Sequence, residues 1–305
     1  MTAERAPFMV LLTDAYGGHG GIAKFNRDFL GCLSTFDGGS GVVALPRVAQ
    51  FEVQGVPDGM VFDTRGLGGK GAYVRTVMRR LVRTPSASMI VCAHINLLPV
   101  AVVAKARYRA PLVLVVHGID AWRPPRNPLA ISMLEHVSSV LSVSAVTKER
   151  FLGWSRLPEE RVQVVPNSVD LSTFGPGPKP SGLVERYRLT GKRVILTLGR
   201  LASHDRYKGF DEVLEVLPRI LRDVPEAVYL VAGDGPDRAR LEAKAKMLEV
   251  AHAVRFTGRV EEHEKADTYR CADVFALPSR GEGFGIVLLD AAREPDRMRH
   301  LKHLR

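Results

Sequence analysis

Cysteine is scarce: three residues in 305, Cys32, Cys92 and Cys271, show neither ligand pairing nor a disulfide framework. That excludes a stapled secreted fold and a cysteine metal site, and it points to a reducing compartment, the cytoplasm. Long apolar runs are missing as well. The longest, "INLLPVAVVAKA", contains Pro99 and reaches Lys105 well short of the ~20 residues that cross a bilayer. The opening run Phe8 to Leu12 is followed by Asp14 before a secretory apolar segment can form, so it reads as a first buried strand. There are no internal repeats and no low-complexity tracts. Basic and aromatic residues are not interleaved, which argues against nucleic acid as a partner although the net charge is +10.

The hydrophobic and charged fractions, 46% and 25%, are those of a folded globular chain. The length suggests two domains. Lys and Arg outnumber Asp and Glu by 19 to 13 in residues 1–178 and by 24 to 20 in the remainder. The last thirteen residues hold five basic and two acidic side chains, so the surplus lies in the first half and the tail. Such a surplus suits an anionic partner such as phosphate or a membrane surface.

Short β-rich runs recur with helical stretches between them: "FMVLL", "GVVAL", "MIVCAH", "PLVLVVHG", "SSVLSVSA" and "RVQVVPN". This is the rhythm of a parallel sheet covered on both faces. After the Pro- and Gly-rich linker around 171–182 it restarts with "KRVILTLGR", "AVYLVAGDG", "AVRFTGR" and "ADVFALPS". The expected fold is α/β with two doubly wound domains, residues 1–175 and 183–305. Their chemistry belongs in loops that follow strands, in a cleft between the strands' carboxyl ends.

Four stretches carry candidate chemistry. In "TLGRLASHDRYKGF", Gly199 and Arg200 close a strand and Lys208 opens the next helix. Two cations and free helix amides there suit a diphosphate. In "DAYGGHGGIAKFNRDFL", Gly17, Gly18, Gly20 and Gly21 precede an amphipathic helix. They read either as a close approach to phosphate or as a tight turn needing positive φ. The stretch is not G-x-G-x-x-G and no ribose-binding acid follows at the right distance, which disfavours NAD. His117, at a strand end before Gly118 and Asp120, points into a cleft or serves the core. In "RGEGFGIVLLDAA", Glu282 precedes a helix expected to start at Phe284 and Gly285, and Asp290 lies on that helix. Free amides there would meet an anion, and the two carboxylates would accept hydrogen bonds from sugar and ribose hydroxyls.

Taken in order, "GGHGGIAKFNRDFL", "HGID", "VPNSVD", "GRL" with "KGF", "AGDGP", "FTGRV" and "EGFGIVLLD" resemble glycosyltransferase family 4. These are the retaining nucleotide-sugar transferases of GT-B fold, and the likeness covers roughly residues 8–292. The resemblance implies two Rossmann-like domains, an acceptor side first and a nucleotide-sugar side second. It implies that Glu282 contacts donor-sugar hydroxyls, that Phe284 and Gly285 present amides to sugar and phosphate, and that Asp290 holds the ribose. The family usually has Glu at that last position. Arg200 and Lys208, beside Gly199, would hold the diphosphate in place of a metal, so no cofactor is implied. His117 would line the sugar pocket, Gly20 and Gly21 would approach the phosphates, and Arg259 and Val260 would lie near the base. The implied partners are a nucleotide-diphosphate sugar and a glycan or lipid-linked acceptor in cell-surface polysaccharide or glycoconjugate synthesis.

One departure stands out. After Ala292 the family continues with a glycine-proline turn and further elements, whereas here "REPDRMRHLKHLR" follows. The second domain is therefore expected to be incomplete, and the chain alone poorly stable and weakly active. A catalytically inactive, truncated nucleotide-sugar-binding remnant is the alternative function, and a GT-B epimerase or phosphorylase is a third. Finally, "KGAYVRTVMRRLVR", residues 70–83, repeats Arg75, Arg79 and Arg83 beside Val74, Val77, Met78 and Leu81. That pattern predicts either an ordinary surface helix or one lying on anionic lipid at the inner face of the plasma membrane.

Overall fold

The computed structural model describes residues 6–36, 41–168, 174, 175, 177–281, 284 and 285, without the side chains of residues 204 and 205. The chain divides into two compact units, Met1–Ser168 and Val169–Arg305.

In the first unit the order is β1 (Phe8–Leu12), α1 (Gly21–Thr35), β2 (Val42–Pro46), β3 (Met60–Phe62), α2 (Lys70–Arg83) and β4 (Met89–Cys92). It continues with α3 (Leu98–Tyr108), β5 (Leu112–Val116), α4 (Pro128–Ser132), β6 (Ser139–Ser142), α5 (Ala145–Ser155) and β7 (Val162–Val164). The strands form one parallel sheet ordered β3-β2-β1-β4-β5-β6-β7. β1 and β5 are buried at every position because helices cover both faces of a parallel sheet, so no polar alternation is needed. β3 was not signalled by the sequence. It is a three-residue edge strand with no fully buried side chain.

Helix α2 turns most of the predicted apolar stripe into the core. Val77 and Leu81 enter the core beside Met9, Leu45 and Ile90, and Met78 packs against it. Of the stripe only Val74 faces outward, 41% exposed, together with Val82 at 82%. Arg75, Arg79 and Arg83 are exposed. Arg80 instead turns inward and donates from Nε to Asp63 Oδ2 at 2.6 Å. Asp63 is also held by Arg65, and these hydrogen bonds keep its carboxyl well below the usual carboxylate range.

The second unit contains α6 (Ser181–Arg186), β8 (Arg193–Leu198), α7 (Phe210–Asp223), β9 (Ala227–Ala232) and α8 (Arg238–Met247). β10 (Val254–Gly258), α9 (Lys265–Arg270) and β11 (Val274–Phe275) follow. Its parallel sheet is ordered β10-β9-β8-β11. The linker's Phe174 packs in this unit's core, its ring 6.1 Å from Tyr269, and Arg270 donates to Gly175 O at 3.1 Å. The strand expected over "DVFALPS" is only two residues long. The Thr197 hydroxyl takes Ala276 O at 2.6 Å, and Pro278 has no N–H with which to extend the ladder.

Cys92 and Cys271 are buried, and desolvation pushes their thiols up to about 12 and about 11. Cys32, on α1, is exposed.

Candidate functional site

Each sheet has a switch point where the chain changes direction across it: between β1 and β4 in the first unit, and between β8 and β11 in the second. Ligands of open parallel sheets bind outside the strand ends at such points, because the adjoining loops diverge there.

In the second unit the loop after β8 runs from Gly199 through a 3₁₀ turn, Ser203–Lys208, to Gly209, which caps α7 with φ +89°. Gly209 has no room for a side chain: a Cβ would stand 2.5 Å from Pro278 Cγ and 2.8 Å from Pro278 O. The start of α7 is thus pressed against the loop that follows β11, and Arg280 N donates to Tyr207 O at 2.9 Å. The stem of Lys208 crosses Gly199, its Cδ 3.3 Å from where a Cβ would be. Arg200 is exposed beside it. The structure therefore brings Gly199, Lys208 and the first turn of α7 together at the switch point.

The first-turn acids of α7 would work against an anion if left unpaired. Asp211 instead receives both Arg240 Nη atoms at 2.7 Å and Lys244 at 2.6 Å. Glu212 meets Arg280 at 3.0 Å.

The "AGDGP" turn after β9 is shaped by backbone proximity. A Cβ on Gly233, φ +138°, would lie 1.9 Å from Gly199 O. Gly199 N donates to Ala232 O at 2.9 Å and Leu201 N to Asp234 O at 3.0 Å, so this turn buttresses the β8 loop. After β10, Arg259 pairs through Nε with Glu261 at 3.0 Å, and Val260 packs partly against the core. Phe284 is partly buried, and Gly285 is buried with φ +76°. Glu282, Asp290 and the helix expected to carry Asp290 lie outside the described residues.

In the first unit the glycine-rich turn separates into two roles. Gly17 and Gly18 make room for the chain itself: a Cβ would fall 2.6 Å from Ala49 Cβ in one case and 1.7 Å from Asp14 Oδ2 in the other. Gly20 precedes α1 with φ +99°, and nothing lies within 4 Å of its Cβ position, so its backbone face is open. Gly21 is exposed as the first residue of α1.

His117 follows β5 and is 9% exposed. Its Nε2 lies 2.9 Å from Ala93 O and must carry the proton, which leaves Nδ1 as the second ring nitrogen. Phe25 stands edge-on, 5.1 Å between ring centres. Desolvation lowers the pKa of His117, so it is neutral at pH 7, while Asp120 opposes that shift. His94 after β4 behaves alike for the same principal reason, with Asp120 opposing and His117 and Arg47 adding to the shift. Sequence reading missed Asp14, Arg47 and His94. Their one signal was position, since each lies within two residues of a strand's carboxyl end.

A family model described as Glycosyl transferases group 1 matches residues 185–293, and one described as Glycosyltransferase Family 4 matches residues 39–173. The chain is 33% identical over 194 residues to a GDP-mannose-dependent alpha-(1-6)-phosphatidylinositol monomannoside mannosyltransferase of Mycolicibacterium smegmatis, covering 59% of this chain and 49% of that one. It is 29% identical over 167 residues to the GPI3 subunit of phosphatidylinositol N-acetylglucosaminyltransferase of Saccharomyces cerevisiae, covering 54% and 36%. The chain thus matches about half or less of these relatives' length. Among solved structures, Anabaena HepE in complex with UDP and glucose superposes with a TM-score of 0.73 at 18% identity, over 93% of this chain and 78% of that one. A sucrose-phosphate synthase from Thermosynechococcus elongatus gives 0.74 at 16% identity, over 96% and 80%. Those two likenesses establish the α/β fold with parallel sheets, of GT-B type.

Proposed function

Because this chain belongs to the group 1 and family 4 glycosyltransferases, we propose that it moves a sugar, with retention of configuration, from a nucleotide-diphosphate sugar to a glycan or lipid-linked acceptor. The observation that carries this reading is the meeting of Gly199, Lys208 and the amide end of α7 at the switch point of the second sheet. Lys208, with Arg200, would hold the diphosphate and stabilise its charge as the glycosidic bond breaks, in the place a metal takes in other transferases. In the step proposed, the bond from the anomeric carbon to the phosphate oxygen breaks while the acceptor oxygen bonds to the same face of that carbon. The acceptor's proton passes to the leaving phosphate.

His117 would line the sugar pocket. A neutral imidazole is better suited there than a charged one, because the transition state gathers positive charge on the sugar. Glu282 and Asp290 would bind sugar and ribose hydroxyls, and Phe284 and Gly285 would offer amides. Gly20 and Gly21 would approach the phosphates, and Arg259 and Val260 the base. The exposed basic side of α2, within residues 70–83, would rest on anionic lipid at the inner face of the plasma membrane, where a lipid-linked acceptor is found.

A calorimetric panel of UDP-, GDP- and ADP-sugars tests the reading. One class is expected to bind and, once an acceptor is supplied, to release nucleotide diphosphate. A chain that binds none of the three would sink it.

A further inference from the structure

The chain has two tryptophans, and both lie where α5 meets the loop that follows β5. Trp154, on α5, donates from Nε1 to Ala121 O at 2.8 Å, and Trp122, on the loop, donates from Nε1 to Thr147 Oγ1 at 3.2 Å. Thr147, Arg150, Phe151 and Trp154 recur at the spacing of successive helix turns and so share one stripe of α5. Arg150 stacks on the Trp122 ring, its guanidinium carbon 3.9 Å from the ring centre. Phe151, fully buried, stands edge-on to Trp154 with ring centres 5.2 Å apart. Thr147 is itself set by the Ser144 cap, whose hydroxyl accepts from Thr147 N at 3.1 Å. One stripe of a helix thus grips the loop through two indole N–H groups.

What the grip holds is the turn next to His117. Ala121 N donates to Gly118 O at 2.8 Å, which closes the four residues directly after the imidazole into a turn, with Gly118 at φ +142°. Ala121 is fully buried, so without Trp154 Nε1 the desolvation of its carbonyl goes uncompensated. On the far side His117 is fixed without help from α5. Its Nε2 donates to Ala93 O, and Phe25 of α1 stands against its ring. Beside Phe25, Asn26 anchors α1 by donating from Nδ2 to Asp14 O at 2.7 Å, while its buried Oδ1 has no partner among the described residues. The titratable groups that act on the imidazole are Asp120, on the same turn, and His94, after β4. Of everything that confines His117, only the turn depends on the two tryptophans.

We propose that Trp122 and Trp154 are positioning residues for His117: by holding the Gly118–Ala121 turn to α5 they keep the imidazole shut off from water and aimed as the sugar pocket requires. The proposal rests on the transferase reading above and adds the residues that orient its histidine.

Proton NMR titration of His117 in the full chain tests it, with Trp154→Phe and Trp122→Phe as separate variants. Each keeps an aromatic ring and deletes one N–H donor. Burial is the largest cause of the lowered His117 pKa, so a loosened turn that admits water is expected to move the titration up toward the ordinary histidine value. Each variant also leaves a single indole in the chain, and acrylamide quenching of it is expected to rise. Leu152→Ala on α5 loosens packing while sparing both donors, and it is expected to leave the His117 titration in place. A His117 titration unmoved in the folded phenylalanine variants, or moved as far by Leu152→Ala, would overturn the proposal. Should Trp154→Phe fail to fold, the partly exposed Trp122 still provides the test through its own variant. With sugar nucleotide and acceptor supplied, turnover is expected to fall about tenfold or more, as displacement of a pocket group does, with nucleotide affinity unchanged. A chain that binds no sugar nucleotide defeats the transferase reading, whereas an unmoved His117 defeats only the positioning role.

Discussion

Arg240 clasps Asp211 with both Nη atoms, 2.7 Å to each carboxylate oxygen, and so fixes the first turn of α7 to α8. That pair, then Lys244, depresses the Asp211 pKa to about 2 against an unfolded value near 3.9. A depressed carboxyl stabilises the fold fully above the unfolded pKa and loses that contribution as pH falls through the folded one. Asp211→Asn is therefore expected to cost about 1 kcal/mol near pH 7, after allowance for solvent screening. The gap to wild type should close between about pH 4 and pH 2. Melting curves across that range check it, and a gap independent of pH would refute the assignment.

Gly233→Ala sets a side chain against backbone. With φ +138° and Gly199 O 1.9 Å from the Cβ position, relief requires moving the β8 loop. A loss of about 3 kcal/mol or more is expected. Gly20→Ala, strained by φ +99° but with open space around it, should cost only about 1 kcal/mol in the same melts.

Lys208→Ala removes the cation that lies over Gly199. If it meets the diphosphate most strongly in the transition state, turnover falls about a hundredfold, or ~3 kcal/mol. Unchanged nucleotide affinity together with unchanged turnover would show that the anion binds elsewhere.

The outer side of α2 carries Arg75, Arg79, Arg83 and the exposed Val82. Replacing the three arginines by glutamine is expected to reduce sedimentation with anionic vesicles, at about 1 kcal/mol for each cation near the surface. Equal sedimentation of the wild type with neutral and anionic vesicles would remove the membrane assignment.

The sheets were readable from sequence because a doubly covered strand needs an unbroken apolar run, and "FMVLL" and "PLVLVV" are such runs. β3 was not readable: at a sheet edge, Met60–Phe62 needs no such run. The α2 stripe left two readings open because helical periodicity shows that one face is apolar without showing whether core or lipid covers it. Gly199 and Lys208 were found because a strand-to-helix turn makes them neighbours within nine residues. Arg47 and His94 belong to different crossovers, and only the strand order brings them near each other. The same holds for Gly233 and Gly199, whose mutual dependence is set by a backbone approach that no local pattern encodes.

Cys32 is the exposed member of a set of three thiols, the other two being buried. Maleimide reagents under native conditions should therefore attach at one place. That place is six residues, about 9 Å along the axis of α1, from Asn26. A fluorophore there would need no engineered cysteine, and it would sit on the same helix as the unpartnered oxygen at the first unit's switch point. Any ligand arriving at that edge could be followed optically.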